Sequence, residues 1–194
     1  MQTIVEHQLK DLPLIQRDMA EVCQQWLNAD PLFLDTETTG LDEQAEIVEL
    51  AVVDSNGDVL IDTLIKPCFS IPQVVTDLHG ITNKMVKNAP DWHDIHPQIS
   101  SLLCGRNVIA YNASFDARML DQTCLHYRLP FISANYFCAM EMYKRHTYNH
   151  KWIKLSKAAW ECGVDLPDEM HRALADTLMC LGIVREIGST NSCG

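Results

Sequence analysis

The chain has 194 residues, 47% of them hydrophobic, which suits one folded domain, alone or with a short appendage. No run of roughly 18 apolar residues occurs, which argues against a helical membrane span, and the charged N-terminus lacks the apolar block and cleavage site of a secretory signal. The formal net charge of −11 argues against tight, non-specific duplex binding, although a carboxylate site filled by divalent cations would reverse that sign locally.

Eight cysteines are present, and no two form a Cys-x-x-Cys pair, so a structural zinc site is not expected. Several sit inside apolar runs and read as reduced thiols acting as small hydrophobes. That reading places the protein in the cytoplasm.

In chain order, residues 1 to about 29 predict a helix, with Leu12, Ile15, Met19, Val22 and Trp26 on one face and Pro31 as its stop. PLFLDTETTG predicts a buried strand ending in a Thr-Thr-Gly turn. EIVELAVVD and DVLIDTLIKP predict two more strands, joined at SNGD by a hairpin in which Asn56-Gly57 supplies the positive φ angles. A polar, proline-punctuated stretch follows, with a short helix starting at Thr82. A helix over 94–104 and the strand RNVIAYNA come next.

From Ser114, a plausible N-cap, a helix carries Phe115, Met119 and Cys124 at helical spacing. YFCAM is a weak strand, and helices are expected over about 155–162 and 170–187. The pattern predicts an α/β sheet with helices packed on it. The expected organisation is a helical extension over 1–29, a main domain over 30–188 and a flexible tail over 189–194.

Three polar intrusions into apolar stretches carry the chemistry. Asp35 and Glu37 end the first strand, and their period-2 spacing puts both carboxylates on one face. Crowded carboxylates repel, and a hard divalent cation such as Mg²⁺ or Mn²⁺ offsets that cost. Alone, an Asp-x-Glu could be chance. Asp116 opens a helix, where an acid could simply complement the helix dipole. His171 and Asp176 are expected in the first half of the last helix, bordering one cavity. Histidine suits proton abstraction near neutral pH, although for the pair in isolation a surface histidine with a solubilising acid is the favoured reading.

Taken together, FLDTETTGL, YNASFDARML and HRALADT resemble the three exonuclease motifs of the DEDD superfamily in its histidine-containing branch, across residues 31 to 187. LHGIT also resembles the family. The resemblance implies a ribonuclease H-like fold, a mixed five-stranded sheet flanked by helices. It implies that Asp35, Glu37, Asp116 and Asp176 hold two divalent cations, Mg²⁺ or Mn²⁺, and that His171 takes the proton from a water nucleophile. The expected reaction is 3′–5′ exonucleolytic hydrolysis of phosphodiester bonds in DNA, at single-stranded or frayed ends, releasing nucleoside 5′-monophosphates.

Thr38, Thr39, Gly40 and Leu41 resemble the turn that holds the terminal nucleotide. His79 and Phe115 are weaker candidates for that pocket, and loop packing and core packing fit them as well. Lys144, Arg145, Lys151, Lys154 and Lys157 gather around Trp152. They could follow a single strand's backbone and stack a base, or form a solvated flank.

The expected partner is single-stranded nucleic acid, DNA favoured over RNA, with a homodimer or a replication or repair partner as further options. The alternatives are a 3′–5′ exoribonuclease and a polymerase-associated proofreading or binding subunit. The N-terminal helix has no assigned role and could dock on the sheet or on a second subunit.

Overall fold

A computed structural model describes residues 14–167 and 171–190. In chain order the elements are helix α1 (Leu14–Asn28), strands β1 (Leu32–Thr38), β2 (Ile47–Val53) and β3 (Val59–Leu64), and helices α2 (Gln73–His79), α3 (Asn83–Val86) and α4 (Trp92–Leu103). Strand β4 (Asn107–Ala110), helix α5 (Ala113–His126), strand β5 (Asn135–Cys138) and helices α6 (Ala139–His146), α7 (Leu155–Glu161) and α8 (Ala173–Ser189) complete the chain. The part of the expected N-terminal helix over residues 1–13, Leu12 included, and the tail over 191–194 lie outside the described residues. No described helix is long and apolar enough to cross a membrane.

The sheet order is β3-β2-β1-β4-β5. β1 pairs antiparallel with β2 and parallel with β4, and β4 pairs parallel with β5, so the sheet is mixed, as expected. Alternate residues of β1 feed two cores. Phe33 faces α1, α6, α7 and α8 together with Ile109, Tyr111, Met140 and Ile183. Leu32 and Leu34 face α4 and α5 together with Trp92, Ile99 and Met119. β2, an interior strand between β3 and β1, is buried along its whole length, which suits its almost unbroken apolar run. A small cluster of Val48, Ile71, Ile81 and Val86 fixes α2 and α3.

The described part of α1 packs into the first core through Ala20 and Cys23, with Met19, Trp26 and Leu27 at its flanks. Gly188 of α8 lies against α1, where an added Cβ would make ordinary contact with the Cys23 Cβ at 3.4 Å. Gln24 Nε2 also donates to the Gly188 carbonyl.

Four local expectations are corrected. The 54–58 hairpin is not the turn with two positive φ angles. Only Gly57 is left-handed (φ 87°), and Gly57 N–H donates to the Asp54 carbonyl. The Asp54 carboxylate accepts the backbone N–H groups of Asn56 and Asp58, which holds Asn56 in an ordinary turn and leaves the bulge to Gly57. Ser114 lies inside the first turn of α5, and Asn112 is the N-cap. Helix α2 was not foreseen in its proline-punctuated stretch. Helix α6 was not foreseen either, because the chain passes from β5 into it at Cys138 without a Gly or Pro break.

Candidate active site

The polar edge of the sheet forms where β1 leaves the core. The alternation that buries Phe33 in one core carries Asp35 and Glu37 out on the same face. α8 crosses that face and supplies Asp176 from its first turn. One carboxylate oxygen each from Asp35, Glu37 and Asp176 lies within 4.8 Å of the other two. Asp116 arrives from the first turn of α5, on the other side of the sheet. Its Oδ1 accepts the Thr36 hydroxyl at 2.8 Å, so it stands beside the group of three. Its charge is nonetheless the strongest charged influence on Asp35.

These carboxylates resist ionisation together. Burial, then the charges of Asp116, Asp176, Glu37 and Glu49, push Asp35 well above the usual carboxylate range. Burial is also the leading cause for the other three. Glu37 is pushed up to about 8, with Asp176 its strongest charged neighbour. Asp116 is raised to about 7 against the lowering hydrogen bond from Thr36. Asp176 is raised to about 6 against the lowering influence of His171. Asp35 and Glu37 accept no hydrogen bond among the described residues, and Asp176 Oδ1 is buried with no partner. Buried oxygens without donors are costly, and a hard cation is the partner this donor set fits.

His171 is not on the last helix, as the sequence predicts. Arg172 is the N-cap and the helix starts at Ala173. His171 precedes it with φ 60°, a left-handed conformation that histidine enters more readily than most residues. From there its side chain stands exposed at the rim. Its backbone N–H donates to the Asp176 carboxylate, and its ring lies close enough to lower that group's pKa.

The device that sets this helix start was not foreseen. Glu49 of β2, with a side chain only 2% exposed, pairs with Arg172. It takes the Arg172 Nε–H at 3.0 Å and the Ala173 backbone N–H at 2.9 Å. It also stands opposite Glu37 in the β1–β2 register. The available signal was an acid inside an otherwise apolar strand, which only a partner could justify.

The Thr38–Leu41 turn is braced from within. Thr38 Oγ1 donates to the Gly40 carbonyl at 2.7 Å. Thr39 N–H donates to the Glu46 carbonyl, and the Thr39 hydroxyl accepts Glu46 N–H. The backbone N–H groups of Gly40 and Leu41 have no partner among the described residues, and the Leu41 side chain is 76% exposed. His79 is buried behind this turn, its Nε2 3.3 Å from the Thr38 carbonyl and its Nδ1 accepting Ile81 N–H at 3.0 Å. Phe115 packs partly buried against the second core, with the Arg118 guanidinium 5.3 Å from its ring centre. Both therefore have the packing contacts that were open to them.

Residues 32–184 match the RNase_T exonuclease family. The chain is 40% identical over 178 residues to an uncharacterized exonuclease of Escherichia phage 186, covering 86% of this chain and 92% of that one. It is 25% identical over 158 residues to the DNA polymerase III subunit epsilon of Aquifex aeolicus, covering 79% and 78% of the two chains. Among solved structures, exonuclease X in complex with 5′ overhanging duplex DNA superposes with a TM-score of 0.65 at 27% identity, covering 84% of this chain and 93% of that one. The sheet order, the carboxylate edge and these likenesses agree: the chain belongs to the RNase_T exonuclease family.

Proposed function

We propose that this exonuclease removes nucleotides from the 3′ end of DNA, at single-stranded or frayed ends, and releases nucleoside 5′-monophosphates. The observation that carries the reading is the buried, unpartnered Oδ1 of Asp176, set in a group of three carboxylates beside His171. Asp35, Glu37 and Asp176, with Asp116 at their side, would hold two divalent cations, Mg²⁺ or Mn²⁺. When bound, these ions supply Lewis acidity and neutralise charge at the reacting phosphodiester.

The chain's own groups do the rest. His171 accepts the proton from the attacking water as the water oxygen bonds to phosphorus; the bond to the 3′ oxygen breaks, and that oxygen takes a proton from solvent. An exposed imidazole at the rim can then pass its own proton to solvent. The unpartnered N–H groups of Gly40 and Leu41 bind the terminal nucleotide, and Leu41 packs on its base. Gly40 has no positive φ, and an added Cβ would meet only Ala45 at 3.8 Å, so the fold itself does not require glycine there. Close approach of a ligand supplies the reason. His79 acts indirectly by holding the Thr38 carbonyl. Residues 30–188 form the catalytic unit, with α1 as its brace. The seven described cysteines are all free thiols, which supports a reducing, cytoplasmic setting.

The test is digestion of matched oligonucleotides labelled at the 3′ or the 5′ end, with Mn²⁺ or Mg²⁺. Immediate release of a 3′ label as a mononucleotide, beside a ladder of shortening 5′-labelled strands, is expected. Internal cuts or release from the 5′ end would overturn the polarity. Matched RNA in parallel decides the sugar, and faster digestion of RNA would reverse the DNA preference.

A further inference from the structure

Five of the chain's 15 Lys and Arg residues fall within residues 144–157, a stretch that contains none of its 26 acids. The other ten Lys and Arg residues share the rest of the chain with all 26 acids. Lys144 pairs with Glu141 and Lys157 with Glu161, which leaves Arg145, Lys151 and Lys154 exposed with no side-chain partner among the described residues. Between them stands Trp152, 65% exposed, and Tyr148 is 49% exposed. A large indole has a strong hydrophobic reason to be covered.

The backbone that presents these groups is ordered. α6 ends with Tyr148 left-handed (φ 55°) and with Asn149 N–H donating to the Lys144 carbonyl at 2.8 Å. This closure normally uses glycine. Asn149 Oδ1 then accepts Lys151 N–H at 2.9 Å. Ile153 is buried in the core on the Phe33 face, and its carbonyl accepts the Tyr111 hydroxyl at 3.0 Å. The β1–β4 register pairs Leu32 with Val108 and Phe33 with Ile109. Continued by two residues, it sets Tyr111 level with Asp35. The segment is therefore pinned to the face of the sheet that carries Phe33 and, two and four residues on, Asp35 and Glu37.

We infer that this 145–154 strap binds the single-stranded part of the substrate that leads into the active site. Arg145, Lys151 and Lys154 contact its phosphates, and Trp152 stacks on one base. The inference rests on the exonuclease reading above and adds a second contact region beyond the terminal-nucleotide pocket. Charge selects the occupant, because the strap is the cationic exception on an acidic molecule. The exposed indole selects a strand with free base faces over a paired duplex.

The experiment compares two substrates, the p-nitrophenyl ester of thymidine 5′-monophosphate, which fills only the terminal pocket, and a ten-nucleotide single strand of DNA or RNA. Trp152→Ala is expected to raise KM for the decamer about tenfold, the scale of one lost base stack. It should leave kcat and hydrolysis of the ester within about twofold, and Trp152→Phe should restore most of the affinity. Arg145→Gln, Lys151→Gln and Lys154→Gln combined should reduce the salt slope of log kcat/KM on the decamer by about 2.

Unchanged decamer KM in both variants overturns the strap. So does an equal loss on the ester, which would make Trp152 a prop for the catalytic cleft. If the wild type hydrolyses neither substrate, the nuclease reading fails instead. Fluorescence anisotropy of a labelled dT decamer then tests the strap alone, with a tenfold weaker Kd expected for Trp152→Ala and an unchanged Kd contradicting it.

Discussion

Adjacent strands β1 and β2 carry acids at the same end of the sheet, half-buried on β1 and buried on β2, and their treatment is opposite. Glu49 on β2 is matched by Arg172 and the Ala173 N–H, and Glu46, just before β2, by the N–H groups of Cys68 and Phe69. Across the register, Asp35 and Glu37 on β1 receive no donor, and the facing Asp176 has an oxygen with none. A buried carboxylate with protein donors is structural, because its charge is settled within the fold. One left without donors, and crowded by its own kind, is unfinished and calls for a cation from outside.

That contrast predicts different fates for nearly isosteric changes. Asp35→Asn should abolish turnover with no loss of thermal stability, since it removes the repulsion of Asp35 with Asp116, Asp176 and Glu37; retained activity would remove Asp35 from the site. His171→Ala should lower kcat by about 10²–10⁴, the usual scale for a general base, and a loss under about threefold would mean another group takes the proton. Glu49→Ala should instead act on the fold. Breaking a buried pair costs about 3–5 kcal/mol, read as a lowered unfolding midpoint, with a smaller loss of activity as the start of α8 loosens. A midpoint matching the wild type would make Glu49 dispensable.

The smallest effect is on pH. Folded-state pKa values of about 8 for Glu37, about 7 for Asp116 and about 6 for Asp176 lie above unfolded values near 4. The metal-free folded state therefore holds more protons than the unfolded chain between these limits. Its stability is greatest near the acid end and falls as pH rises toward about 8. Melting in chelator across this range checks the sign. Added Mn²⁺ should raise Tm more at the alkaline end, where the carboxylates are ionised without metal at greatest cost. An equal rise at both ends would sever the link between repulsion and metal binding.

The acids of the site were legible because each interrupts an apolar stretch, and the strand period alone puts Asp35 and Glu37 on one face. Their convergence with Asp176 depends on α8 crossing the sheet, which no local pattern encodes. The helix start shows the limit most clearly. HRALADT is rich in helix formers, so local propensity extends the helix through His171. The chain instead stops at Arg172, because Glu49, 123 residues away, takes both the guanidinium and the first helical N–H. Tertiary contact overrides propensity there, and it moves the proposed general base off the helix and onto the rim. Helix α6 was hidden by a different cause. A strand that turns into a helix at Cys138 without Gly or Pro leaves no punctuation to read.

The most direct measurement is the anomalous diffraction of manganese in crystals of this protein soaked in Mn²⁺. The account predicts a peak within coordination distance of Asp35, Glu37 and Asp176, with Asp176 Oδ1 among its ligands. Strong manganese peaks elsewhere in the molecule, and none between these three carboxylates, would contradict it.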